Sequence, residues 1–175
     1  MSEAARRLTL DLDQDGIVDL YGLSLSSAWS RWPVIALQND FRFDASSGRR
    51  PLVDTLRFFH DALYRERVAT LYQSSRSHIN LDAFPREKAA MVLTTSIELA
   101  GWRNEGMPFA AKVAPLPFGP VKSTLLVSNV FMIRKDCQDP ELAHAFLRIA
   151  FEEELQSKLA RDTGFLSCLP RVNES

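Results

Sequence analysis

Acidic side chains at alternate positions are the arrangement that converges oxygen atoms on a hard cation, and Asp11, Asp13, Asp15 and Asp19 stand so in the run Asp11-Leu-Asp-Gln-Asp-Gly-Ile-Val-Asp-Leu-Tyr-Gly22. In an EF-hand-type calcium loop, oxygens come from positions 1, 3 and 5 and from the main-chain carbonyl of position 7, while a glycine at position 6 allows the sharp turn. Asp11, Asp13, Asp15, Gly16 and the Ile17 carbonyl match those places, and Asp19 falls at position 9 as a direct or water-mediated ligand. Position 12 departs from the pattern: Gly22 stands where a calcium sensor carries a bidentate glutamate. The expectation is a structural Ca2+ staple with ligands Asp11, Asp13, Asp15, Ile17 and Asp19. The plainer alternative is an acidic turn between helix and strand whose carboxylates cap main-chain amides.

Catalytic constellations are scarce by comparison. The sequence has no nucleophile elbow, phosphate loop, dinucleotide glycine fingerprint or HExxH helix. His60, His78 and His144 are scattered, and nothing in the spacing sets one of them beside Ser167 or Cys168. The expectation is a protein that is not an enzyme. A glycoside- or ester-processing enzyme on a related α/β scaffold is the rival that turnover would reveal.

The elements that must position these residues come from 175 residues, 46% hydrophobic and 25% charged, enough for one domain with a real core. With 21 basic and 22 acidic side chains the formal charge is -1, so no net field draws the chain to nucleic acid. Direct nucleic-acid binding is not expected, and Arg6-Arg7, Arg49-Arg50 and the Arg65/Arg67 pair read as solvated helix faces. Cys137 and Cys168 lack zinc or redox spacing. No apolar run reaches the roughly 20 residues of a membrane span, and Glu3, Arg6 and Arg7 are followed by no signal-peptide core.

Along the chain, residues 2–8 read as the end of a helix, and Tyr21 to Leu25 as a short strand. Residues 27–38 read as a helix with Pro33 in its first turn. Leu52, Leu56, Phe59 and Leu63 recur at helical spacing from Pro51 to about Arg67 and predict a core-facing stripe. Strands are expected at 89–95, 110–116 and 124–133, with a helix over 97–104. Asp139-Pro140-Glu141 supplies an N-cap and a proline for a helix to Phe151, and a further helix runs to about Asp162. Alternating helices and apolar strands predict an α/β class with helices on a mostly parallel sheet.

Several segments together resemble the extracytoplasmic solute-binding proteins of ABC importers, family 1, the sugar-binding group that includes maltose-binding protein. They are "AARRLTLDLDQDGIVDLYG", "WPVIALQND", "FPREKAAMVLTTS", "VAPLPFGP", "TLLVSNVFMIRK" and "DPELAHAFLRIAFEEELQSKLARDTGFLSCLP", in that order. The resemblance implies a periplasmic-binding-protein type II-like lobe within an incomplete two-lobe protein. Residues 1–119 would be the second-lobe-like ligand-binding region, and 120–175 the crossing strand and the helices that return to the first lobe. It implies a fragment that lacks the first-lobe core and the final helices, whose exposed interlobe surface favours self-association. Lobes of this family close on ligand by a hinge motion.

A sugar cleft needs flat aromatic platforms and directional polar groups. Trp29, Trp32 and Trp102 are the platform candidates; the resemblance sets Trp29 against ligand and Trp32 at a packing position. It also implies ligand contacts at Thr95, Ser96 and Glu98, with Ile97 standing where relatives have a stacking tryptophan, and at Ser128 and Asn129. The same Thr95 or Ser96 could equally cap the following helix. The leading expectation is therefore the solute-recognition component of an importer, binding a sugar without catalysis and partnered by permease subunits. Its alternative is the ligand-sensing domain of a transcriptional regulator on the same fold. The first reading places the protein outside the cytoplasm, periplasmic or lipoprotein-anchored, and the second within it.

Overall fold

A computed structural model of the chain describes residues 1–26, 31–44, 46, 48–72 and 83–174. They fall into two compact units. The first comprises Met1–Thr94 and Glu105–Leu126, the second Thr95–Asn104 and Val127–Ser175.

The first unit is organised around the strand β1, Leu23–Ser26, all four residues of which are buried. It pairs in parallel with β2, Ala69–Tyr72, in the register Leu23 to Ala69 and Leu25 to Leu71. On its other side, parallel bridges join Tyr21 to Ala89 and Ser24 to Val92. The expected strand at 89–95 is thus a bridged extended segment beside β1, and the parallel sense is as expected. Strand β2 carries the branched and aromatic residues Thr70 and Tyr72 that favour a pleated surface. Sequence reading passed over it because it follows the helical stripe directly.

Helix α1, Ser2–Leu8, buries Ala5 against this sheet. Helix α2, Trp32–Gln38, is apolar nearly all round and accordingly buried, with Pro33 in its first turn. Helix α3, Arg50–His60, continues into a π-helical turn, Asp61–Arg65. The core joins Ala5, Leu23, Leu25, Ala62, Val68 and Ala69, with Phe58, Phe59, Leu63 and Met91 packed partly against it. Leu56 corrects the predicted stripe. It is 67% exposed, whereas Thr55 beside it is buried. Thr55 fits because both sides of its hydroxyl are used: it donates to the Pro51 carbonyl at 2.7 Å and accepts from Asn39 Nδ2 at 3.1 Å.

The second unit contains α4, Ser96–Glu105, α5, Pro140–Ala150, and α6, Glu153–Thr163, followed by a 3-10 turn, Pro170–Asn173. Trp102 is its fully buried anchor. The N-cap read from sequence forms as expected, with Asp139 Oδ1 accepting from Leu142 N at 2.9 Å. No strand forms at 110–116 or 124–133. An apolar run becomes a strand only beside a partner that takes its main-chain hydrogen bonds, and no described residue does so for 124–133. Among the described residues no helix is long and apolar enough to cross a membrane.

Candidate functional site

The acidic loop is closed at its base by an antiparallel bridge between Leu10 and Leu20, with Leu10 N to Leu20 O at 2.9 Å and Leu20 N to Leu10 O at 3.1 Å. Within it every aspartate accepts from the main chain. Gly16 N donates to Asp11 at 2.9 Å, Asp15 N to Asp13 at 3.3 Å, Ile17 N to Asp15 at 2.7 Å and Leu12 N to Asp19 at 2.8 Å. Gly16 takes φ +87°, the left-handed turn that its loop position demands. The Asp11, Asp13 and Asp15 carboxylates are exposed, each bringing an oxygen within 4.8 Å of the others. A carboxylate has two oxygens, and each of these bonds engages one of them, so capping and cation binding are compatible here.

Gly22 explains why position 12 holds no glutamate. A Cβ built there would lie 1.9 Å from the Ala5 carbonyl oxygen. The entry to β1 runs directly against the backbone of α1, and Gly22 N donates to Thr9 Oγ1 at 3.0 Å. Any side chain at this position is excluded by α1 before coordination is considered.

Ligands of open α/β sheets sit beyond the carboxyl ends of the strands. In the first unit β1 leaves Ser26 into residues 27–30, and β2 leaves Tyr72 into 73–82. Trp29 belongs to the first of these segments and lies outside the described residues, as does His78. Trp32 is 37% exposed at the start of α2, between its expected packing position and a surface one.

In the second unit Thr95 and Glu98 form a capping box at the start of α4. Glu98 N donates to Thr95 Oγ1 at 3.4 Å and Thr95 N to a Glu98 carboxylate oxygen at 3.3 Å. Glu98 is buried, while Ser96 and Ile97 are exposed. Trp102, also on α4, has no exposed surface and so offers no platform. Ser128 and Asn129 are exposed on the extended segment. A shallow depression on α5 is lined by Glu141, His144, Leu147, Arg148 and Phe151. All five come from α5 and the residue after it, so among the described residues it has no opposing wall.

A solved structure aligns with 99% of this chain at a TM-score of 0.68 and 18% sequence identity: a maltose/maltodextrin-binding domain from Bdellovibrio bacteriovorus, bound to maltotriose. The fold is periplasmic-binding-protein-like. The alignment spans 48% of that structure's own length, so the present chain corresponds to about half of it. No protein-family model and no curated protein sequence matches the chain. The periplasmic-binding-protein-like fold agrees with the small parallel sheet and flanking helices, and it gives the carboxyl ends of β1 and β2 their interest as sites.

Proposed function

We propose that this chain is the ligand-recognition portion of a solute-binding protein, that its ligand is a carbohydrate, and that it binds without chemical turnover. The observation that carries the reading is the alignment of nearly the whole chain with a domain bound to maltotriose. Trp29, which follows β1 in the sequence and lies outside the described residues, is the aromatic platform in this reading, on the strength of the family resemblance. Thr95 and Ser96 offer polar groups at the first turn of α4, with Glu98 holding that turn, and Ser128 and Asn129 add exposed hydrogen-bonding groups. As part of an ABC importer the protein would act outside the cytoplasm and deliver its ligand to permease subunits. The acidic loop, with Asp11, Asp13, Asp15, the Ile17 carbonyl and Asp19, holds a structural Ca2+.

The deciding experiment is thermal denaturation across mono- and oligosaccharides, since a ligand that binds only the native state raises the midpoint. We expect a sugar-specific rise, largest for α-linked glucose oligomers. Trp29→Ala should weaken binding by about 1 kcal/mol or more, the loss of an aromatic contact. A cooperative transition indifferent to every sugar would overturn the carbohydrate reading, and unchanged affinity in the variant would return Trp29 to packing.

A further inference from the structure

Helix α6 ends against α4. Its C-cap, Gly164, takes φ +70°, the left-handed conformation in which helices commonly stop, and its amide donates to the Ala160 carbonyl at 3.1 Å. A left-handed turn alone would accept asparagine; the neighbouring helix accepts only glycine. A Cβ built on Gly164 would lie 2.5 Å from the Ser96 carbonyl oxygen and 2.8 Å from Ala100 Cβ. The Ser96 carbonyl belongs to the main chain of the first turn of α4, so it can withdraw only if that turn moves. Two residues before Gly164, the Asp162 carbonyl accepts from Asn104 Nδ2 at 3.1 Å. The end of α6 is thus held both at the start of α4 and near its finish.

The contact at the start of α4 falls on the turn that the Thr95–Glu98 capping box organises from within. Ser96 nevertheless remains exposed. Its carbonyl meets α6 while the residue stays open to solvent. Gly106 provides a matched comparison. It follows the other end of the same helix and takes φ +84°, yet a Cβ there meets nothing within 4 Å. The two glycines share a backbone requirement, and only Gly164 has the close approach.

We infer, taking Thr95 and Ser96 to be ligand groups as proposed above, that Gly164 is a positioning residue for that site. By letting the end of α6 seat flush on the Ser96 carbonyl, it fixes the first turn of α4 and with it the polar groups that the turn presents. A residue outside the ligand-contacting set therefore governs how well that set is placed.

Gly164→Ala and Gly106→Ala, each made in the full chain, test this by amide hydrogen exchange without sugar and by calorimetric titration with maltotriose. Both place an L side chain at positive φ, so both should melt earlier than wild type. Only Gly164→Ala should speed exchange at the Glu98 and Leu99 amides, which Thr95 holds through its hydroxyl and its carbonyl. Only Gly164→Ala should weaken maltotriose binding, by about tenfold, the worth of one misplaced hydrogen bond. If Gly164→Ala alone does not fold, adding Ala100→Gly removes one of the two close neighbours, and the same comparison decides. Exchange at Glu98 and Leu99 equal in the two alanine variants would overturn the role of Gly164 whether or not sugar binds, and so would faster exchange with maltotriose affinity unchanged. Failure of the carbohydrate reading looks different: the wild type itself then binds no sugar, and the ligand role of Gly164 falls with it.

Discussion

The position of Gly22 shows how one missing side chain decides both packing and chemistry. Its α-hydrogen faces the carbonyl of Ala5 where a methyl group would overlap it, which lets β1 begin flush against α1. Gly22→Ala should cost about 3 kcal/mol, the upper range for overpacking a tight contact, measured by urea denaturation. A loss below a few tenths would mean that α1 shifts freely and that the contact is not a constraint. Thr95 works through hydrogen bonds instead. Thr95→Ala removes the N-cap of α4 and should lower stability by about 1 kcal/mol, whereas Glu98→Gln keeps the reciprocal bond to the Thr95 amide and should cost less. Equal losses would assign Glu98 a role outside the box. At this scale the sequence was partly legible: the T-x-x-E pattern and the Asp139-Pro140 start announce their caps, but Trp102, expected among the cleft platforms, is a core residue. Nothing local marks which tryptophan faces inward.

The elements owe their placement to a few such junctions. Helix α1 is tied to the end of the π-helical turn by Arg6, which donates to both Glu66 carboxylate oxygens at 2.9 and 3.0 Å. Hydrogen bonding from Arg6, helped by Arg65 and opposed by partial desolvation, holds the Glu66 carboxyl below its ordinary value. A depressed carboxylate pKa adds stability above the unfolded value, and that stability is lost as pH falls through the folded one. The melting temperature of wild type should therefore exceed that of Glu66→Gln at neutral pH, and the gap should close on acidification below the carboxylate range. A gap independent of pH would rule out the ion pair as its source. The acidic loop is tested in the same way at its own ligands. The double substitution Asp11→Ala with Asp13→Ala should lower the melting temperature more in calcium than in chelator, and equal losses in both would leave the aspartates as amide caps alone. Helix periodicity announced α3, the Asp139-Pro140 start announced α5, and α6 was expected after it. The strand expected at 124–133 was legible as a strand-former yet forms none here, because pairing is settled by neighbours that periodicity does not encode. Strand β2 was missed for the converse reason: it is short, and only β1 makes it a strand.

At the scale of the molecule, the parallel sense of the sheet and the α/β class were legible, since parallel strands need long crossovers and the chain supplies helices between them. The periplasmic-binding-protein-like fold followed from the order of several segments, none of which specifies it alone. That sheet also sets a timetable. The main chain of β1 finds its strand partners only when Ala69–Tyr72 arrives on one side and Val92 on the other. A ribosome extending the chain at roughly 5–20 residues per second leaves β1 unpaired for several seconds. During that interval a strand that is wholly buried in the finished protein is exposed on the nascent one, and a chaperone that engages emerging apolar strands would meet it there.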